Sequence, residues 1–348
     1  MTLPTSAGVA RSQLLLAASR HPLAAACSRG LLAAREAMGA TDARAAESGR
    51  VALLVSGGGD SMALLLLMAA IRERSDPALD SLAVLSVDHG MRPEAAAECE
   101  AAIELAARIG VARRETVRVA VTRGGNLLER ARAARYAAAS RFVDTHRCVA
   151  AVTAHTADDC AESLLLGLRR GLGIASLSRL VPFAENARGD LPAIIRPLLA
   201  VRRHDLREFL AELGVAWRED PSNALHERGA LRGDPSLAAL VDGIARGSAR
   251  TMDEARDLIA FRDAAVRTQL AGHRRSFDRA EFDALPRALH VALLRAMVHA
   301  AGGDASQAVL DRAQAAIDDG DRAPRSFACA GGVELRIDAR AVSVVQVG

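Results

Sequence analysis

The apolar positions of the first two thirds of the chain fall into short unbroken blocks separated by turn residues. Val51-Ala52-Leu53-Leu54-Val55 is a continuous run, the pattern of a parallel strand buried on both faces. Every residue from Met62 to Ile71 is apolar, which is too short for a bilayer and right for a buried helix. Leu82 to Val87 reads as a second strand and Glu94 to Ile109 as an Ala-rich helix stopped by Gly110. A third strand is expected at Glu115 to Val121, a helix at Leu127 to His146, a fourth strand at Cys148 to Thr153 and a helix at Cys160 to Arg170. Repeated alternation of strand and helix predicts an α/β fold, a doubly wound parallel sheet. Ile194 to Leu198 then reads as a short strand closed by proline, and Arg202 to Leu213 as a helix. Trp217 precedes the turn-forming set Asp220-Pro221-Ser222-Asn223, where the first domain is expected to end.

From Gly233 the pattern is helical alone, with candidates at Leu237 to Ala249, Thr251 to Ala271 and Pro286 to Ala301. Residues 326 to 346 alternate like a hairpin or small sheet. The expected organisation is therefore an N-terminal extension over 1–48, an α/β domain over 49–225, and a smaller, mostly helical domain with a C-terminal β element over 226–348.

Composition narrows the class. Of 348 residues, 50% are hydrophobic and 25% charged, as in a globular protein of two domains. A net charge of +3 is compatible with nucleic acid but far from a dedicated basic binder. All 45 basic residues are Arg, so Schiff-base and Lys-nucleophile chemistry is excluded. Five scattered cysteines form no CxxC, which argues against a disulfide framework or zinc ribbon and for a reducing, cytoplasmic setting. Residues 1 to 48 carry no acidic residue before Glu36; this is the composition of a transit peptide, but the arginine bias runs through the whole chain and favours a leader helix or an early start.

The chemistry gathers at the predicted strand ends. Ser56-Gly57-Gly58-Gly59-Asp60-Ser61 follows the first strand, where glycines allow a tight turn and a helix N-terminus points N–H groups at an anion. No lysine follows, so this is not the GxxxxGK[ST] loop. Asp88-His89 ends the second strand, and His155, Asp158, Asp159 and Glu162 follow the fourth. Three carboxylates at a phosphate site suit Mg²⁺, a cationic substrate or a general base; an acidic first helical turn alone would account for one of them. Ligands of doubly wound sheets bind at this edge.

These residues carry a resemblance. Ser56 to Ser61 resembles the SGGxDS loop of the ATP-pyrophosphatase superfamily. The remainder is similar to one family within it, the tRNA(Ile)-lysidine synthetases: Val87 to Pro93 resembles VDHGLRP, Asn126 to Tyr136 an arginine helix ending in ARY, and Ala154 to Glu162 the AHxxDDxxET motif with Ser163 for Thr. Arg170 to Gly173, Arg196 to Leu199 and Asp220 to Asn223 resemble RGxG, RPLL and DxSN. Two departures stand out: Ser176 replaces a usual glycine, and Arg228-Gly229 replaces an arginine-asparagine pair, which leaves tRNA contacts by Arg228 and Arg232 unassigned.

The resemblance implies ATP and Mg²⁺ as cofactors, with tRNA(Ile) bearing a CAU anticodon and free L-lysine as partners. It implies adenylation of the wobble cytidine at its C2 oxygen and displacement of AMP by lysine. By the same resemblance Ser56, Gly57, Gly58, Gly59, Asp60, Ser61, Asp88 and His89 would bind nucleotide, Asp60 would hold the metal, and Asp60, Arg132, His155, Asp159 and Glu162 would act in catalysis. No membrane partner is expected, a homodimer stays open, and the C-terminal domain would bind tRNA. The alternatives are a tRNA thiolase, against which the missing CxxC counts, a metal-dependent phosphohydrolase using Asp88, His89, His155, Asp159 and Glu162, and an RNA-binding protein with a vestigial loop.

Overall fold

In the computed structural model, residues 10–39, 49–74, 81–90, 94–120, 127–170, 180–184, 192–218, 227–271, 274–320 and 322–347 are described. The chain forms two compact units, Met1–Met252 and Asp253–Gly348.

The first unit begins with helices α1 (Arg11–Arg20) and α2 (Pro22–Gly39) and continues through β1 (Arg50–Leu54), α3 (Gly59–Glu73), β2 (Ser81–Asp88), α4 (Glu94–Arg108), β3 (Arg113–Arg118), α5 (Leu127–Thr145), β4 (Ala150–Val152) and α6 (Ala157–Arg169). After β5 (Phe183–Ala184), β6 (Ile194–Ile195), α7 (Arg203–Glu212) and α8 (Glu227–Gly233), the division between the units falls inside α9 (Pro235–Gln269). The strands form one sheet in the order β3-β2-β1-β4-β6-β5, parallel except for the β5–β6 pair. This is an α/β fold. The chain winds outward from β1 to β3 and then returns to place β4 on the other side of β1, so the order reverses between β1 and β4. Such a reversal leaves a crevice at the carboxyl ends of the two strands.

The strand period of two decides what packs where. Val51, Leu53, Leu82 and Val84 face one core with α1, α2, α3, α4 and α7, whereas Ala52, Ala83, Leu85 and Ala151 face Tyr136, Ala139, Phe142 and Val143 of α5. Helix α3 is buried all round from Met62 to Ile71, which explains its lack of any polar face. The N-terminal helices belong to this core through Leu14, Leu15, Ala18, Ala24, Cys27 and Leu31. A Cβ on Gly30 would lie 2.1 Å from the Pro197 carbonyl oxygen, so α2 packs backbone-close on the segment after β6.

Several elements differ from expectation. β3 begins two residues early because an exposed edge strand is set by its pairing with β2, Ala83 opposite Arg113, and not by an apolar run of its own. α6 begins at Ala157 because Thr156 caps it. The two helices expected on either side of Arg250 are one, with no proline to separate them. Val241 and Ala245 of α9 form a small separate cluster with Ala157 and Ala161 of α6.

The second unit holds β7 (Ser276–Asp278), α10 (Arg279–Asp283), α11 (Arg287–Ala300), α12 (Gln307–Asp318), β8 (Arg325–Cys329), β9 (Val333–Ile337) and β10 (Ala341–Gln346). Its antiparallel sheet, ordered β7-β10-β9-β8, turns Val333, Leu335, Ile337, Val342 and Val344 onto Leu293, Leu294 and Met297 of α11 and Leu310 and Ala313 of α12.

Candidate active site

The crevice between β1 and β4 opens into a cavity of about 390 Å³, within the range of small-molecule sites. Its floor is the glycine turn. Gly57 has φ +80°, and a Cβ there would lie 2.5 Å from the Glu98 carbonyl oxygen, so only glycine fits this conformation and this close approach to α4. The turn is tied internally: Ser61 Oγ donates to the Gly58 carbonyl at 2.8 Å and accepts from Ser56 N–H at 3.2 Å. It is braced from outside by Trp217, whose ring would lie 3.2 Å from a Cβ on Gly59, and by Arg218 N–H donating to Gly57 O at 3.2 Å. The N-terminus of α3 therefore faces the cavity in a fixed frame, as an anion site requires.

The opposite wall comes from β4 and α6. Thr153 Oγ1 and His155 Nδ1 are 2.8 Å apart. Thr156 and Asp159 form a reciprocal cap, with Thr156 N–H donating to Asp159 Oδ2 at 2.8 Å and Asp159 N–H to Thr156 Oγ1 at 3.4 Å. Asp158 turns away to Arg202, which reaches its two oxygens at 3.1 and 3.2 Å, and to the Arg203 N–H at 2.8 Å. Burial opposes the charge on Asp158, but these donors outweigh it and hold its carboxyl below the usual range. Glu162 is fully buried and receives Arg232 Nε at 2.7 Å and Nη2 at 2.9 Å.

Arg203 stands at the centre. Its Nε donates to Asp60 Oδ2 at 3.1 Å, Nη1 to Glu162 Oε1 at 3.0 Å and Nη2 to Asp159 Oδ1 at 2.9 Å. Burial works against its charge, yet Asp159, Glu162 and Asp60 raise its pKa further, so it stays a cation. Asp60 is shifted toward its neutral form: burial, with Asp159 adding to it, raises its pKa despite Arg203.

Among the predicted site residues, Ser56, Gly58, Gly59, Asp60, Ser61, His89, Arg132, His155 and Asp159 line the cavity. Gly57, Asp88 and Glu162 stand behind its wall. Asp88 Oδ1 accepts the Gly90 N–H at 2.7 Å and so shapes the turn after β2. His89 has its pKa lowered by burial and by Arg135, against Asp88, and Arg135 Nε donates to its Nε2 at 3.4 Å. Arg132 lies over the Tyr136 ring, 5.0 Å from its centroid. The segments Met91–Pro93, Gly124–Asn126, Gly171–Gly173, Ser176 and Asp220–Asn223 lie outside the described residues.

Sequence reasoning missed Arg202, Arg203, Arg207 and Arg218 and left Arg232 unassigned. Its one available signal was the doublet Arg202-Arg203 shortly after the RPLL segment, past Ala200 and Val201. With Arg132 and Arg135, arginines outnumber the acids of the cavity wall, which favours a polyanionic ligand. The residues also fit a hard cation at one point. Asp60 Oδ1 is buried without a hydrogen-bond partner among the described residues, a single carboxylate oxygen of the kind Mg²⁺ takes when phosphates and water complete its shell. No group of three His, Cys, Asp or Glu among the described residues could hold a metal by itself. Asp158 is drawn to Arg202, whereas Asp159 and Glu162 share Arg203 and Glu162 also takes Arg232.

A glycine turn before a buried helix, at the reversal point of a parallel sheet, defines a nucleotide-loop protein, and the PP-loop domain model matches residues 33–234. The chain belongs to the PP-loop family. More narrowly it belongs with the tRNA(Ile)-lysidine synthases: it is 34% identical over 306 residues to the one from a Bradyrhizobium species, covering 80% of this chain and 84% of that one. It is 38% identical to the protein of that name from Ruegeria pomeroyi, over 55% of this chain and 44% of that one. With the Novosphingobium aromaticivorans protein the identity is 41%, over 51% and 53%. The chain thus spans about half the length of these last two relatives.

Proposed function

We propose that the protein ligates L-lysine to C2 of the wobble cytidine in a tRNA(Ile) with a CAU anticodon, consuming ATP and releasing AMP and pyrophosphate in the cytoplasm. The observation that carries the reading is that the glycine turn and Asp159 of α6, bridged by Arg203, face one cavity.

The N–H groups of the α3 N-terminus and the turn of Ser56 to Ser61 bind the triphosphate, while Asp60 Oδ1 holds Mg²⁺. Bound there, the metal would neutralise charge on the departing pyrophosphate. Asp88 and His89 support the nucleotide from the end of β2. Arg132, stacked on Tyr136, orients the cytidine or its phosphate, and His155 lines the path between nucleotide and base. The lysine amine is received by acid groups, Asp159 from the cavity wall and Glu162 from behind it. The ammonium must lose a proton before its nitrogen attacks C2 and AMP departs. The second unit recognises tRNA beyond the anticodon.

A two-stage assay with Glu162→Gln tests this. Adenylated tRNA is first trapped without lysine, and AMP release is then followed as lysine is added. The first stage should persist, while the lysine requirement rises at least roughly 30-fold, as for one removed partner of a buried charge pair. Failure of both stages together would assign Glu162 to the metal or the fold; no change in either would place the lysine pocket elsewhere on this edge.

A further inference from the structure

Arg203 uses each of its guanidinium nitrogens once, on carboxylates from two elements: Asp60 at the start of α3, and Asp159 and Glu162 on α6. Those elements follow β1 and β4, the strands on either side of the topological reversal. The three acids are not equally dependent on it. Asp159 Oδ2 is also held by Thr156 N–H and Oγ1, each at 2.8 Å, and Glu162 Oε2 by Arg232. Asp60 has Arg203 as its one hydrogen-bond partner among the described residues, on Oδ2, while Oδ1 is buried and unpartnered. Arg203 is itself fixed, 11% exposed in its side chain, with its backbone N–H on Asp158.

We infer that Arg203 is a positioning residue that couples the metal side of the cavity to its acidic side. It holds Asp60 with Oδ1 turned toward the nucleotide and, through the same rigid plane, sets Asp159 and Glu162 for the incoming amine. A carboxylate that binds a metal needs its other oxygen anchored, and here one cation anchors it to the very groups assigned to the second substrate. A lysine in place of Arg203 would keep the charge but lose the planar fork that reaches three partners. The inference rests on the proposed roles of Asp60, Asp159 and Glu162.

The test compares Mg²⁺·ATP binding by calorimetry, against ATP in EDTA, for wild type, Asp60→Asn, Arg203→Lys and the charge-balanced double Asp60→Asn/Arg203→Gln. Lysine half-saturation is measured for wild type and Arg203→Lys. Arg203→Lys should weaken Mg²⁺-dependent binding about tenfold, in line with loss of a partner behind a metal ligand, and should raise lysine half-saturation by a similar factor. The double should match Asp60→Asn alone, because Arg203 acts on the metal through Asp60. Movement of only one of the two quantities in Arg203→Lys, or a double that binds Mg²⁺·ATP more weakly than Asp60→Asn, overturns the coupling. If Asp60→Asn retains full Mg²⁺ dependence, the metal assignment of Asp60 fails, and the inference with it. Where Arg203→Lys does not fold, the comparison of the double with Asp60→Asn decides the matter.

Discussion

Arg232 grips Glu162 with two parallel N–H···O bonds, Nε to Oε1 at 2.7 Å and Nη2 to Oε2 at 2.9 Å, on a carboxylate with no exposed surface. A buried carboxylate of this kind is tolerable only while its charge is matched. Arg232→Ala is expected to destabilise the protein by about 3 kcal/mol, the low end for a broken buried pair because Arg203 still reaches Glu162. Denaturant midpoints check this, and Arg232→Ala/Glu162→Gln should recover part of the loss. A single variant as stable as wild type would mean that Arg232 is a solvated side chain.

A helical glycine normally gains about 1 kcal/mol on replacement by alanine. Gly30 should do the reverse, because its Cβ would meet the Pro197 carbonyl oxygen at 2.1 Å and backbone must move to admit it. Gly30→Ala is expected to cost about 1–3 kcal/mol, read by chemical denaturation. A stabilised variant would show that α2 does not pack on the segment after β6.

Two acids that each accept from Arg203 should respond to pH with opposite sign. The folded-state pKa of Asp158 is lowered, so its contribution is present above the unfolded value and is lost as pH falls through the folded one. Asp158→Asn should therefore cost about 1.5–3 kcal/mol at pH 7, and the gap to wild type should close below about pH 4. The folded-state pKa of Asp60 is raised, so its ionised form opposes folding above that value, and the penalty disappears below the unfolded one. Asp60→Asn should be at least as stable as wild type at pH 7 while losing Mg²⁺-dependent pyrophosphate release. Melting curves across pH, with a pyrophosphate assay, separate the two. An Asp60→Asn protein that is less stable yet fully active would make Asp60 a turn residue.

What the sequence revealed follows from what each element depends on. β1 and the buried part of α3 are written in their own side chains, since burial on every side leaves a continuous apolar run. β3, with the sequence RRETVR, is a strand only because β2 pairs with it, and its polar run carries no such signal. The site divides in the same way. Gly57 to Ser61 and the acidic turn of α6 announce themselves by local spacing, because a turn and a cap are local structures. Arg203 does not: an arginine opening a helix reads as a solvated charge, and its role comes from Asp60, 143 residues earlier, and from Glu162. The N-terminal helices were obscured likewise, their alanine-rich, acid-poor composition matching a leader segment while Leu14, Cys27 and Leu31 complete the core over α3.

The activity proposed for this cavity is the joining of lysine to a tRNA base at the expense of an α–β phosphate bond. The direct measurement is to incubate the purified protein with ATP, Mg²⁺, isotope-labelled lysine and total tRNA, then digest the tRNA to nucleosides and analyse them by mass. The account predicts a labelled lysine-cytidine conjugate confined to tRNA(Ile) with a CAU anticodon, formed with equal amounts of AMP and pyrophosphate and lost in Asp60→Asn. ADP and phosphate as products, or label absent from nucleosides while ATP is consumed, would contradict it.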